Sequence, residues 1–152
     1  MPNAHLKIDR LSFNLGMINC FVEMVACGVK RLAISPPIRP EEYPQISKGS
    51  DRIAENFGVK SYLETSLLIT DLQPAEFTAG KWSILYYEED GIIRAYLDLK
   101  NKKEELEKAG RFQGEERKDI SRAFGRLLSY PEDKIELKLT GQSYPEPFML
   151  AD

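Results

Sequence analysis

The chain predicts a single compact α/β domain over residues 1–139, with an irregular tail at 140–152. The domain holds a small mixed sheet with at least one parallel βαβ unit, and its C-terminal third is helical. Three observations carry this expectation. A length of 152 residues fits one domain. Apolar runs at 32–35 and 59–63 flank a stretch of helical spacing, and a strand–helix–strand order is normally a parallel, right-handed crossover. After residue 90 helical periodicity dominates. The alternative is α+β, with residues 82–99 folded as a hairpin about Asp90-Gly91.

Residues 4–10 alternate briefly and read as a short strand. Ser12 or Asn14 offers a cap for a helix running to about Val29. Leu15, Ile18, Val22, Val25 and Val29 share one face of it. The opposite side carries Gly16, Met17, Cys20, Met24 and Cys27, interrupted by Glu23. A helix apolar nearly all round is buried on several sides, which makes this the central helix. Pro36-Pro37 stops the strand at 32–35. Pro40 opens the next helix, Gly49-Ser50 divides it, and Gly58 sits where a C-terminal glycine belongs.

Residues 59–63 and 66–70 read as strands and 70–81 as a loop. Residues 82–87 are the clearest strand: Trp82, Ile84 and Tyr86 alternate with Ser83, Leu85 and Tyr87, and both faces are apolar enough for a doubly covered core strand. Helices follow at 92–109, ended by Gly110, at 115–129 and, after Pro131, at 132–139. The segment from Gly125 to Glu132 looks like a reusable helix–turn–helix corner to which no function attaches. The tail beyond 140 has no periodicity, though Tyr144, Phe148 and Met149 give it apolar anchors.

Composition excludes several functional classes. Two cysteines and one histidine cannot form a disulfide scaffold, a zinc finger or an iron–sulfur cluster within this chain. A formal net charge of −3 argues against a dedicated nucleic-acid binder. Residues 13–29 are the most apolar stretch, yet Asn14, Asn19 and Glu23 interrupt them, so neither a membrane span nor a signal sequence is expected. Free cysteines without staples fit a cytoplasmic protein. There is no glycine-rich phosphate loop, dinucleotide fingerprint, serine-hydrolase elbow or calcium-loop spacing. His5 stands alone, so no metal and no cofactor is expected.

Three places remain for chemistry. Cys20, Glu23 and Cys27 lie at i, i+3 and i+7 on one helix stripe. The thiols are separated by about 10.5 Å of helix axis, too far for a disulfide. A desolvated Glu23 would be suited to acid–base work beside Cys20 as nucleophile. The bland account is that the thiols are small buried hydrophobes and that Glu23 reaches solvent or pairs with Lys30. The loop Ser35-Pro36-Pro37-Ile38-Arg39 leaves the carboxyl end of the first predicted core strand, where open α/β sheets bind ligands. Ser35 offers a hydroxyl and Arg39 a fork for an anion. Alternatively, it is a stiff connector. Lys118, Arg122 and Arg126 form a basic stripe, but Glu115, Glu116 and Asp119 are interleaved, as on an ordinary solvated face.

The functional expectation is accordingly a soluble intracellular binding or interaction protein without a catalytic constellation. One alternative is a small enzyme acting on an anionic metabolite near Ser35–Arg39, and it requires Glu23 to face a cavity shared with that loop. The other is weak nucleic-acid association through the basic stripe. A second copy of the chain and an anionic small molecule stay open as partners.

Overall fold

The computed structural model of the chain describes residues 7–141. His5, residues 4–6 of the expected first strand, and the tail from 142 onward lie outside the described residues. Residues 7–9 have no regular structure. The elements follow as α1 (Arg10–Ala26), β1 (Ala33–Ile34), α2 (Tyr43–Phe57), β2 (Lys60–Glu64), β3 (Ser83–Tyr87), α3 (Asp90–Lys108), α4 (Gly114–Leu127) and α5 (Glu132–Leu139). Short 3-10 turns stand at Pro40–Glu42 and Ala75–Phe77.

The sheet corrects the expected topology. Its order is β1-β3-β2, and β3 is antiparallel to both neighbours, with Ala33 opposite Tyr86 and Tyr62 opposite Leu85. Because β1 and β2 both oppose β3, they point the same way, but they are not paired. The crossover through α2 therefore joins two strands held apart by a third. Among the described residues there is no parallel pair, so neither the parallel βαβ unit nor the mixed sheet forms. The physical reason lies in β3. All five of its residues are buried, with Leu85 and Tyr86 fully inaccessible. A strand with two apolar faces gains most from the central position, at roughly 1.5–3 kcal/mol for each large side chain buried. Antiparallel strands with helices against them are an α+β arrangement. The hairpin of the alternative reading is also absent, since residues 90–108 are helical and Lys60 Nζ holds Asp90 at 2.7 Å at the start of α3.

The two faces of β3 feed two cores. Ile84 and Tyr86 pack with Ile18, Val22, Val25 and Ile46 of α1 and α2. Leu85 and Tyr87 pack with Ile93, Tyr96, Ile120, Phe124 and Ile135 of α3, α4 and α5. The sheet thus lies between two helical layers, and α1 is an outer helix rather than a central one. It buries Asn14, Ile18, Val22 and Val25 and leaves Cys20, Glu23, Met24 and Cys27 exposed. Its cap is Asp9, whose Oδ2 accepts from the Ser12 N–H at 2.9 Å. The expected break at Gly49 does not occur. The missing Cβ instead lets α2 approach α1, where a methyl would stand 2.6 Å from Leu15 Cδ2. Residues 66–70 form no strand.

A buried carboxylate anchors the start of the β2–β3 connection. Glu64 is 4% exposed. Its Oε2 accepts from Tyr96 Oη at 2.8 Å and Lys100 Nζ at 2.9 Å, while Oε1 accepts from the Ser66 N–H at 2.9 Å. Tyr96 Oη in turn accepts from the Leu68 N–H at 3.0 Å. Every partner of this carboxylate belongs to α3 or to the loop, so the loop leaves β2 in a fixed direction.

Two substitutions test the packing. Gly125 faces Ile135, whose Cδ1 would lie 2.8 Å from an added methyl, so Gly125→Ala should lower stability by about 1–3 kcal/mol. Gly16 meets nothing within 4 Å. Gly16→Ala should therefore raise stability by about 0.5–1 kcal/mol. Urea midpoints of both variants give the signs. A pH series tests the buried phenols. Burial pushes Tyr86 and Tyr96 above the ordinary phenol value. The unfolded chain then gives up these protons first, and stability should fall as pH rises above about 10. Tyr86→Phe should flatten that fall, and an unchanged slope would show that Tyr86 is not its source.

Candidate functional site

A cavity of about 190 Å³ lies where one end of the sheet meets the C-terminal end of α4. A water needs at least about 10–15 Å³ of such space, so the cavity has room for several waters or one small molecule. Met17 and Phe21 form the α1 wall, and Ile34 and Pro37 come from β1 and its exit. The connection between Glu64 and Ser83 contributes Leu67, Gln73, Phe77 and Thr78. Leu128 and Tyr130 close the far side.

Three polar residues of the wall differ in what they have left to offer. The Ser35 hydroxyl has its one proton in use: it donates to Pro36 O at 3.0 Å and accepts from the Ile84 N–H at 2.9 Å. It holds the chain against β3 and has no proton to give a ligand. Ser83 is 1% exposed, and its Oγ is buried with no protein hydrogen-bond partner. A buried hydroxyl left unpaired costs about 1–3 kcal/mol, and such a group calls for a reason. Lys30 Nζ donates to Leu128 O at 2.7 Å and lies 5.3 Å from the centre of the Tyr130 ring. Burial lowers its pKa below the ordinary lysine value.

The helix corner at 125–132 builds this side of the cavity. α4 ends with the Tyr130 N–H bonded to Gly125 O at 2.9 Å and the Ser129 N–H bonded to Arg126 O at 3.0 Å. This is a Schellman ending, and Ser129 occupies its left-handed position with φ 64° where glycine is usual. The serine has a compensating use: its Oγ accepts from the Arg31 N–H at 2.9 Å. With the Leu32 N–H on Leu127 O, that bond fastens the α1–β1 loop to the end of α4 and holds Lys30 against the cavity.

The residues singled out from sequence are not brought together. Ser35 lies in the cavity wall, but Arg39 lies outside it, its Nε 3.7 Å from Glu42 Oε1. The loop between them is not the mouth of a parallel sheet. Ile38 and Trp82 exchange two backbone hydrogen bonds of 2.8 Å, which extends the antiparallel ladder past the prolines. Cys20, Cys27 and Glu23 face solvent on the outside of α1. Glu23 therefore does not meet the condition of the enzymatic reading. In the basic stripe, Arg122 bonds Glu136, Asp119 and Glu115, Arg126 bonds Glu132, and Lys118 stands 3.7 Å from Glu115. The stripe is charge-compensated within α4 and α5.

A larger groove of about 570 Å³ between α3 and α4 is lined by Lys102, Glu105, Arg111, Glu116 and Asp119, and Arg111 is paired with Glu116. Among the described residues no three His, Cys, Asp or Glu side chains cluster closely enough to hold a metal, and no helix is long and apolar enough to cross a membrane. Sequence reading missed Lys30, Gln73, Phe77, Thr78, Ser83 and Tyr130 as a group, because they come from four separate segments. The one available signal was the corner at 125–132. No family model, curated protein or solved structure matches the chain.

Ser129 provides the test of this wall. Ser129→Ala keeps the left-handed backbone and loses the bond to Arg31, so stability should drop by about 0.5–1.5 kcal/mol. Ser129→Gly loses the same bond but relieves a strain of roughly 1–2 kcal/mol, so it should be close to neutral. Denaturant midpoints that place alanine at or above glycine would contradict the role given to the hydroxyl.

Proposed function

We propose that the chain is a binding module for a small, mostly apolar molecule, seated in the cavity between α1, the 65–82 loop and the end of α4. The observation that carries this reading is an apolar cavity whose wall contains both a buried, unpartnered hydroxyl, Ser83, and a half-buried cation, Lys30. An apolar pocket with a few polar groups is the usual form of a small-molecule site. Neither Ser35 nor Ser83 hydrogen-bonds a basic side chain, which favours binding over nucleophilic catalysis. The exposed thiols of Cys20 and Cys27 suit a reducing compartment, so the same reading places the protein in the cytoplasm. A second reading, self-association, is favoured by the outer face of α1, where Met24 is 38% exposed beside Cys20 and Cys27. Sedimentation across a concentration series tests it.

The test of the cavity uses a neutral probe. Titration of 1-hexanol into the protein should shift the methyl resonances of Met17 and Ile34 saturably. Thr78→Trp, which fills the cavity from its rim, should abolish the effect while leaving the remaining spectrum intact. Shifts that do not saturate, or that survive Thr78→Trp unchanged, would overturn the assignment.

A further inference from the structure

Resting on the cavity reading, we infer that the natural ligand is a monocarboxylate, its carboxylate seated on Lys30 and a short apolar chain or ring running towards Met17 and Phe21. The position of Lys30 is the first reason. Both groups that hold its ammonium, Leu128 O at 2.7 Å and the Tyr130 ring at 5.3 Å, belong to cavity-wall residues. The charge therefore stands at the edge of the cavity. An ammonium has three donors, and the protein takes one of them.

The second reason is the charge balance. On α4, Arg117, Arg122 and Arg126 each hold a carboxylate. Lys30 has no carboxylate within ion-pair distance among the described residues. The carbonyl end of α4 offsets only about half a unit charge. Burial lowers the pKa of Lys30, and a bound anion offsets that cost. The rest of the wall sets the size of the ligand's charge. Met17, Phe21, Leu67 and Phe77 offer no donors, the Gln73, Thr78 and Ser83 side chains are neutral, and Lys30 is the one charged residue among those lining the cavity, so a dianion such as a phosphate would keep part of its charge uncompensated. Arg39, the more obvious anion fork, faces Glu42 outside the cavity.

Calorimetric titration of the full chain with hexanoate, 1-hexanol and hexyl phosphate at low salt separates the possibilities. Hexanoate should bind at least about tenfold more tightly than 1-hexanol, as a charge-assisted contact implies. Lys30→Met should erase that preference and keep hexanol binding. Equal affinities in the native chain would overturn the carboxylate and leave the cavity reading standing. A hexanoate preference that survives Lys30→Met would overturn the role of Lys30. Tighter binding of hexyl phosphate would overturn the single charge, and no binding of any probe would overturn the site itself.

Discussion

The fold depends on one strand being covered twice. β3 sends Ile84 and Tyr86 into the α1–α2 core and Leu85 and Tyr87 into the α3–α4–α5 core. Each neighbouring strand can then satisfy one of its edges, and the two helical layers have a common wall to pack on. A sheet of three strands with so short a β1 would have little independent stability; helices on both faces supply what the ladder lacks. Tyr86 makes the dependence concrete, since its hydroxyl meets Ser50 of α2 at 2.7 Å in the middle of one core.

The cavity follows from where this arrangement stops. At Pro36-Pro37 the β1 edge breaks its pairing before Ile38 rejoins the ladder opposite Trp82, and at Ser83 β3 begins. The connection entering β3 has already been directed by Glu64, Tyr96 and Lys100. The Schellman corner of α4 then pulls the α1–β1 loop across through Ser129 and Arg31. The space left between these fixed pieces is lined by whatever each contributes. Most of those contributions are apolar, and Lys30 and Ser83 stand out against them.

Much of the local structure was legible in the sequence. Gly58 ends α2 in the left-handed conformation, with φ 68°, and α5 covers Glu132–Leu139 as its proline start indicates. The two faces of β3 sort as alternation requires. Pairing was not legible. Strand–helix–strand order suggests that β1 and β2 are neighbours, but order along the chain says nothing of the competition for the centre, which β3 wins through burial. The outer face of α1 misled for a different reason: Gly16, Cys20, Met24 and Cys27 count as apolar, yet they are small or slender enough to stand in water at modest cost. Arg39 and Ser35, four residues apart, diverge because Ile38 rejoins the ladder between them. A cavity assembled from α1, two loops and a helix end leaves no local pattern to find.

A crystal structure grown with hexanoate tests the central claim most directly. The account predicts density in this cavity, with carboxylate oxygens within about 3 Å of Lys30 Nζ and the chain against Met17 and Phe21. Density on Arg39 or elsewhere on the surface, with the cavity closed by its own side chains, would contradict it.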